Sequence, residues 1–196
     1  MPGQGDFAAD LADAIEDYRY RGQTAQARSK LREVARRATP DALIVAAEPY
    51  LEDPVVTAVL YEVVVDFQPS NARAIVILAN ALWLVGAGPE AVEHLANRAI
   101  ASDPANRGAW HLWSLSESDP RARSMRWQQV ATRFPGDDLA LANMADNASS
   151  VAAAEQDYAM LDLAISAYES LLERATRPEQ RDALDTALRA LRGWKF

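Results

Sequence analysis

Gly86 and Gly88 stand in the run "LVGAGPEAV", residues 84 to 92, which imitates the G-x-G-x-x-G/A loop whose backbone N–H groups approach a pyrophosphate at a helix start. That chemistry needs a strand before the loop and a βαβ unit with an acidic residue about 20 positions on. Here the preceding residues run at helical period, and no βαβ pattern follows. Pro89, just after the second glycine, has counterparts at Pro54 and Pro120 that follow no Gly-x-Gly. The stretch therefore reads as a turn between two helices, and no nucleotide cofactor is expected.

Other chemistry-bearing residues are sparse. Glu90 and His94 are four apart on one helix, as are Glu93 and Asn97, but a metal site needs three or four converging ligands. Single polar pairs at this spacing are ordinary helix surface. No cysteine is present, which excludes thiolate metal sites, thiol nucleophiles and disulfides. No H-E-x-x-H, nucleophile elbow or Walker loop occurs, so neither a metal nor a catalytic residue is expected. The net charge of -8 argues against a phosphate-backbone partner, whose binding depends on counterion release by a basic surface.

Two clusters remain. Asp6, Asp10, Asp13, Glu16 and Asp17 precede Arg28, Lys30, Arg32, Arg36 and Arg37, so an antiparallel hairpin would place opposite charges together. The alternative is that Arg28, Arg32 and Arg36, spaced by four, receive an acidic segment from elsewhere. Trp110, Trp113 and Trp127 read as core, with an aromatic partner-binding patch as the other reading.

The elements that must position these residues are helices. The 39 alanines among 196 residues favour closely approaching helices, since alanine has no side-chain entropy to lose. Prolines recur fifteen residues apart at 54 and 69, 89 and 104, and 120 and 135. Each pair brackets a helix of about four turns with proline in its first turn, where the missing N–H costs nothing, and a second proline beyond its end. Asp53, Gly88 and Asp119 fall at the N-caps. Overlaid, the three segments agree in small or apolar residues at Val56, Ala91 and Ala122; at Tyr61, Ala96 and Trp127; at Val64, Ala99 and Val130; and at Val65, Ile100 and Ala131. "VVTAVLYEVVVDF" is helical by this alignment and by its apolar stripe, although alone it would pass for a strand. Partner helices lie between, as at 71 to 85, giving units of 31 to 35 residues.

In residues 72 to 104, Ile75, Leu78, Ala79, Leu82, Gly86 and Ala91 stand in the order and spacing of the large, large, small, large, turn and small positions of the tetratricopeptide repeat. Trp110, Trp113 and Ser114 begin a further copy. Leu141, Met144, Ala145 and Ala148, followed after a longer connection by Ala164, Tyr168 and Leu171, make another. The chain thus resembles that family over about residues 40 to 175. The resemblance implies an all-α, right-handed solenoid of antiparallel hairpins with about 10 to 11 helices, in one helical-repeat domain spanning 1 to 196. Its parts are an N-terminal hairpin at 6–38, repeat units at 40–69, 71–104, 105–135 and 137–175, and a capping helix at 178–193. Pro49 should shorten or kink the first helix of the 40–69 unit.

In that family the first helices of successive units line a concave groove. Carried over, the groove-facing residues are Arg73, Val76, Asn80 and Trp83, then His111 and Leu115, then Leu139, Ala142 and Asp146. Asn80 matches the asparagine of members that clamp a carboxylate, but Val76 stands where their lysine would. The expected function is a non-enzymatic scaffold binding a protein or peptide. An all-α enzyme or small-ligand receptor in the same cradle, or a transient assembly chaperone, is the alternative. The start, "MPGQGDFAAD", lacks a basic segment followed by an apolar one, and the apolar run from Ala74 to Gly88 is too short to span a bilayer. A cytoplasmic location and no membrane partner are expected.

Overall fold

The computed structural model describes residues 4–196, with side chains from Phe7 onward, so the Asp6 side chain lies outside the described residues. Among the described residues there are eleven α-helices and no strand: α1 Gln4–Tyr20, α2 Ala25–Ala35, α3 Pro40–Ala47, α4 Pro54–Phe67, α5 Ala72–Leu84, α6 Pro89–Ser102, α7 Arg107–Leu115, α8 Pro120–Arg133, α9 Asp138–Glu155, α10 Tyr158–Arg174 and α11 Pro178–Arg192. By internal contacts they form two compact units, one ending at Leu112 and the other beginning at Trp113, within α7. No described helix is long and apolar enough to cross a membrane.

The proline rule sets the helix ends. α4, α6 and α8 are each 14 residues long and begin on Pro54, Pro89 and Pro120. The side chains of Asp53 and Asp119 accept the N–H of Val56 and Ala122, while Gly88 caps α6 without a side chain, at φ +97°. Pro49 acts as expected: α3 stops after 8 residues and a 3-10 turn, Glu48–Tyr50, follows.

In the first unit α1 packs on α2, α2 and α3 on α4, α4 on α5, and α5 on α6. α1 and α2 are antiparallel, since Asp17 late in α1 pairs with Lys30 and Asp10 early in α1 pairs with Arg37 beyond the end of α2. α2 and α4 run the same way. Arg28 pairs with Glu62, Arg32 reaches both Glu62 and Asp66, and Arg36 pairs with Asp66. The acidic segment that receives the arginine stripe is therefore α4 of this same chain, while α1 pairs with Lys30 and Arg37. The core of the unit includes Leu31, Leu43, Leu60, Val64, Ile75, Ala79, Ala96 and Ala99, each fully excluded from solvent. The overlay of the three proline-bracketed helices succeeds at Tyr61, Ala96 and Trp127 and at Val64, Ala99 and Val130, all buried. It fails at Ala91, which is exposed in the first turn of α6.

In the second unit α9 packs on α8 and α10, and α10 on α11. The expected long connection inside the 137–175 unit is absent. α9 continues for 18 residues, and only Gln156, in the left-handed region, and Asp157 separate it from α10. The segment "NASSVAAAE" holds no breaker, and Ser149 and Ser150 return their hydroxyls to the Asp146 carbonyl. α11 covers the end: Leu191 enters a cluster with Val151, Met160, Leu161 and Ala164, and Trp194 packs against it. Arg181, at the start of α11, donates to the carbonyls of Leu172 and Ala175 that α10 leaves at its end.

Asp157 shows how one residue joins two helices. It caps α10 by accepting from Ala159 and Met160, and it binds Arg121 of α8 at 2.5 Å. The Arg121 hydrogen bond first, then the backbone bonds, hold its carboxyl below the ordinary value of 3.8.

Two predictions follow from this packing. Ala79 has no exposed surface, so Ala79→Leu should overpack α5 and cost about 1 to 3 kcal/mol in urea unfolding. For Asp157 the folded carboxyl titrates below the unfolded one, so its stabilisation is present above 3.8 and disappears as pH falls through the lower folded value. Asp157→Asn keeps a capping side chain and loses that term. Its melting temperature should lie below wild type at neutral pH, and the gap should close in acid.

Candidate partner-binding surface

The glycine stretch is settled by hydrogen bonds. At the end of α5 the N–H of Gly86 donates to the Trp83 carbonyl at 3.1 Å and that of Ala87 to Leu82 at 3.0 Å, with Gly86 at φ +74°. These are the two bonds of a Schellman helix end. Gly22 and Gln23 end α1 in the same way on Arg19 and Tyr18. "VGAGP" is thus a helix stop followed directly by a helix start. Glu90 and His94 are exposed on α6, and among the described residues no three His, Cys, Asp or Glu side chains gather as a metal site.

α5 carries four of the expected groove residues. Arg73 and Asn80 are exposed, and Trp83 is 38% exposed. Val76 is half-buried and plays a different part. A Cβ built on Gly108 would stand 3.2 Å from its Cγ1, so Val76 packs against the start of α7 closely enough that a side chain at position 108 would make it give by a few tenths of an ångström. His111 is half-buried on α7, and Leu115 and Ala142 are half-buried as well. Leu139 and Asp146 are exposed on α9 in the second unit.

Asp146 is engaged within its unit, for it accepts the Tyr168 hydroxyl of α10. Burial first, and the Asp146 carboxylate second, push the Tyr168 phenol up to about 12.

The tryptophans divide. Trp127 is 1% exposed, as core residues are, while Trp110 and Trp113 are half-buried. The small position between them is Ser114, fully buried as the repeat alignment requires. Arg126 of α8 lies over the Trp113 ring at 4.6 Å, donates to the Trp113 carbonyl at 2.7 Å and pairs with Glu117 at 2.9 Å. Trp113 therefore serves the joint between α7 and α8 within the second unit.

A surface that sequence reasoning missed lies beside Arg73. The truncated α3 leaves a recess of about 370 Å³ against α5. Ile44, Leu51, Ala74 and Ile77 give it apolar walls, and Glu48, Asn71 and Arg73 stand among them. Its floor is Tyr61 of α4, only 2% exposed, whose phenol is pushed up by burial. The sequence signal was Pro49: a helix cut short beside a 13-residue neighbour leaves its last turn unfilled. Tyr61 itself was legible only as a packing position.

No family model matches the chain, and no curated protein matches it. Solved structures do. One of MamA aligns with a TM-score of 0.60 at 17% identity, over 85% of this chain and 94% of that one. A second MamA structure aligns with 0.60 at 16% identity, over 89% and 100%. A structure of Pseudomonas aeruginosa PilF aligns with 0.60 at 16% identity, over 96% and 86%. At such identities the likeness is one of fold: an all-α repeat-helix architecture.

Tyr168 provides the test of the second unit. Its phenolate should appear near pH 12 in an ultraviolet titration of the folded chain. Because the neutral form is favoured on folding, the stabilisation holds below the ordinary tyrosine value of 10.0 and is lost as pH rises through the folded one. Asp146→Asn should bring the phenol down.

Proposed function

We propose that the chain is a non-enzymatic scaffold that holds a peptide or helix of a partner protein on the exposed first-helix faces of its repeats. The observation that carries the reading is α5. It presents Arg73, Asn80 and Trp83 outward along one helix, with an apolar recess at its start, while its opposite face is locked into the core by Ile75, Leu78 and Ala79. Trp83 is exposed together with Leu84 and Val85 beside it, and an exposed tryptophan with apolar neighbours is the composition of an interface anchor rather than of a solvated helix. Helices already fixed by packing lose little conformational freedom when a segment docks, so modest contacts suffice for binding. The fold likeness to MamA and PilF is consistent with this reading.

His111 at the α7 end of the first unit, and Asp146 with Leu139 in the second, are further contact positions on this proposal. Val76 contributes by setting the distance between α5 and α7. The net charge of -8 disfavours nucleic acid as the partner.

The test is affinity purification from the native host with mass spectrometry, comparing wild type with the double variant Asn80→Ala and Trp83→Ala. Both side chains are exposed, so the variant should keep its helical circular-dichroism spectrum while losing the captured partner. Undiminished capture would reject α5 as the binding face.

A further inference from the structure

We infer that Tyr158 and Trp194 form a docking slot for an aromatic residue of a partner segment, and that the chain's own Phe196 fills it in the partner's absence. The slot lies in the second unit, so the inference goes beyond the α5 reading and does not depend on it. What fits the slot is visible because Phe196 sits there. Past the end of α11 at Arg192, the chain runs without regular structure to the start of α10. There the Phe196 ring meets Tyr158 edge-on at 5.1 Å between centroids and Trp194 at 6.0 Å, with interplanar angles of 60° and 61°. The Tyr158 hydroxyl also takes the Phe196 N–H and donates to its main-chain oxygen, both at 3.0 Å. One phenol thus engages both main-chain groups of a single residue, while two rings engage its side chain.

The two walls of the slot are held from behind. Trp194 is half-buried and packs against the cluster that contains Val151, Met160, Leu161 and Leu191. Tyr158 is the first residue of α10, directly after Asp157, which caps that helix and is itself held by Arg121. Phe196 lacks such backing. It is 37% exposed, Lys195 before it is exposed, and its two main-chain bonds go to a side chain rather than into a helix. Tyr158 is 53% exposed, so water competes for both hydrogen bonds, and each ring contact is of modest strength. Closure by Phe196 is therefore marginal, and a partner segment that brings the same groups, a ring with one N–H and one C=O, displaces it. Edge-to-face contact draws on the ring quadrupole, so the slot selects aromatic over aliphatic side chains. The apparent affinity for such a segment scales with the fraction of chains that Phe196 has left, which makes this residue a competitor carried by the chain itself.

The probe is N-acetylphenylalanine N-methylamide, one aromatic residue with both main-chain groups, titrated into the full chain and followed by amide NMR. The leucine analogue is the control. In Phe196→Ala, saturable shifts are expected at Tyr158, Ala159 and Met160. Wild type, with its slot filled, should bind the probe at least about fivefold more weakly, and the variant should bind the leucine analogue at least about fivefold more weakly than the probe. Adding Tyr158→Leu, at an exposed position, should abolish the shifts while the helical circular-dichroism spectrum is kept. Phe196→Ala without probe should melt within about 4 °C of wild type, a smaller drop than the loss of a core aromatic gives. Equal binding by wild type and Phe196→Ala, equal binding of the two probes, shifts that are absent or that survive Tyr158→Leu, or a larger fall in melting temperature overturns the slot and makes Phe196 a structural clasp.

Discussion

A helix of three or four turns cannot hide its own apolar stripe, and the whole arrangement of this chain answers that constraint. Alanine is the means. Ala79, Ala96, Ala99, Ala145, Ala148, Ala152 and Ala164 all have no exposed surface, and they let backbones approach where larger residues would hold them apart. Each helix is then stabilised by burial against its neighbours rather than by intrinsic helicity, which would be marginal at such lengths. The two exposed ends of the problem are handled differently. α11 closes the second unit with Leu188 and Leu191 inward and a charged outer face, while the short α3 leaves its unit incompletely filled.

Charges follow the same repetition as the apolar core. Arg19 meets Asp53, Arg28 meets Glu62, Arg32 meets Asp66, and in the second unit Arg121 meets Glu155; every pair is 34 residues apart. That separation lies within the unit length of 31 to 35 residues set by the prolines. It arises because equivalent positions of successive units are brought side by side. A backbone version also recurs: Arg98 donates to the Pro69 carbonyl and Arg174 to that of Pro135, so an arginine of the second helix ties the proline that closes the unit before. Exposed pairs of this kind contribute only about 0 to 1 kcal/mol each, so the core decides the fold and the charges decorate it.

The helices were legible because their boundaries rest on local chemistry. Proline in a first turn, Asp or Asn at a cap and glycine at a Schellman end act within a few residues of themselves, and α4, α5, α6, α8 and α11 lie close to where those signals put them. What escaped is what depends on the partner of a residue. The reading of the Arg28, Arg32 and Arg36 stripe first sought its acids in α1, the neighbour in sequence, whereas the neighbour in space that takes all three is α4. The repeat pattern implies a longer connection between Ala148 and Ala164, yet an alanine-rich stretch without a breaker simply remains helix. The recess was invisible for a similar reason. Pro49 announces a shortened helix, but only the position of α5 and the depth of Tyr61 turn that shortening into a lined cavity.

The rungs between α2 and α4 carry one more consequence. Because they recur every four residues, a slide of one helix by a single turn, about 5.4 Å, would present a near-identical set of partners, and Arg32 already touches the acids on both sides, at 3.6 and 3.4 Å. Such a zipper fixes orientation while leaving alignment degenerate. The choice among these equivalent settings falls to shape, to the fit of Ala27, Leu31 and Ala35 into the valine-rich flank of α4, where a misplaced tooth would find no gap.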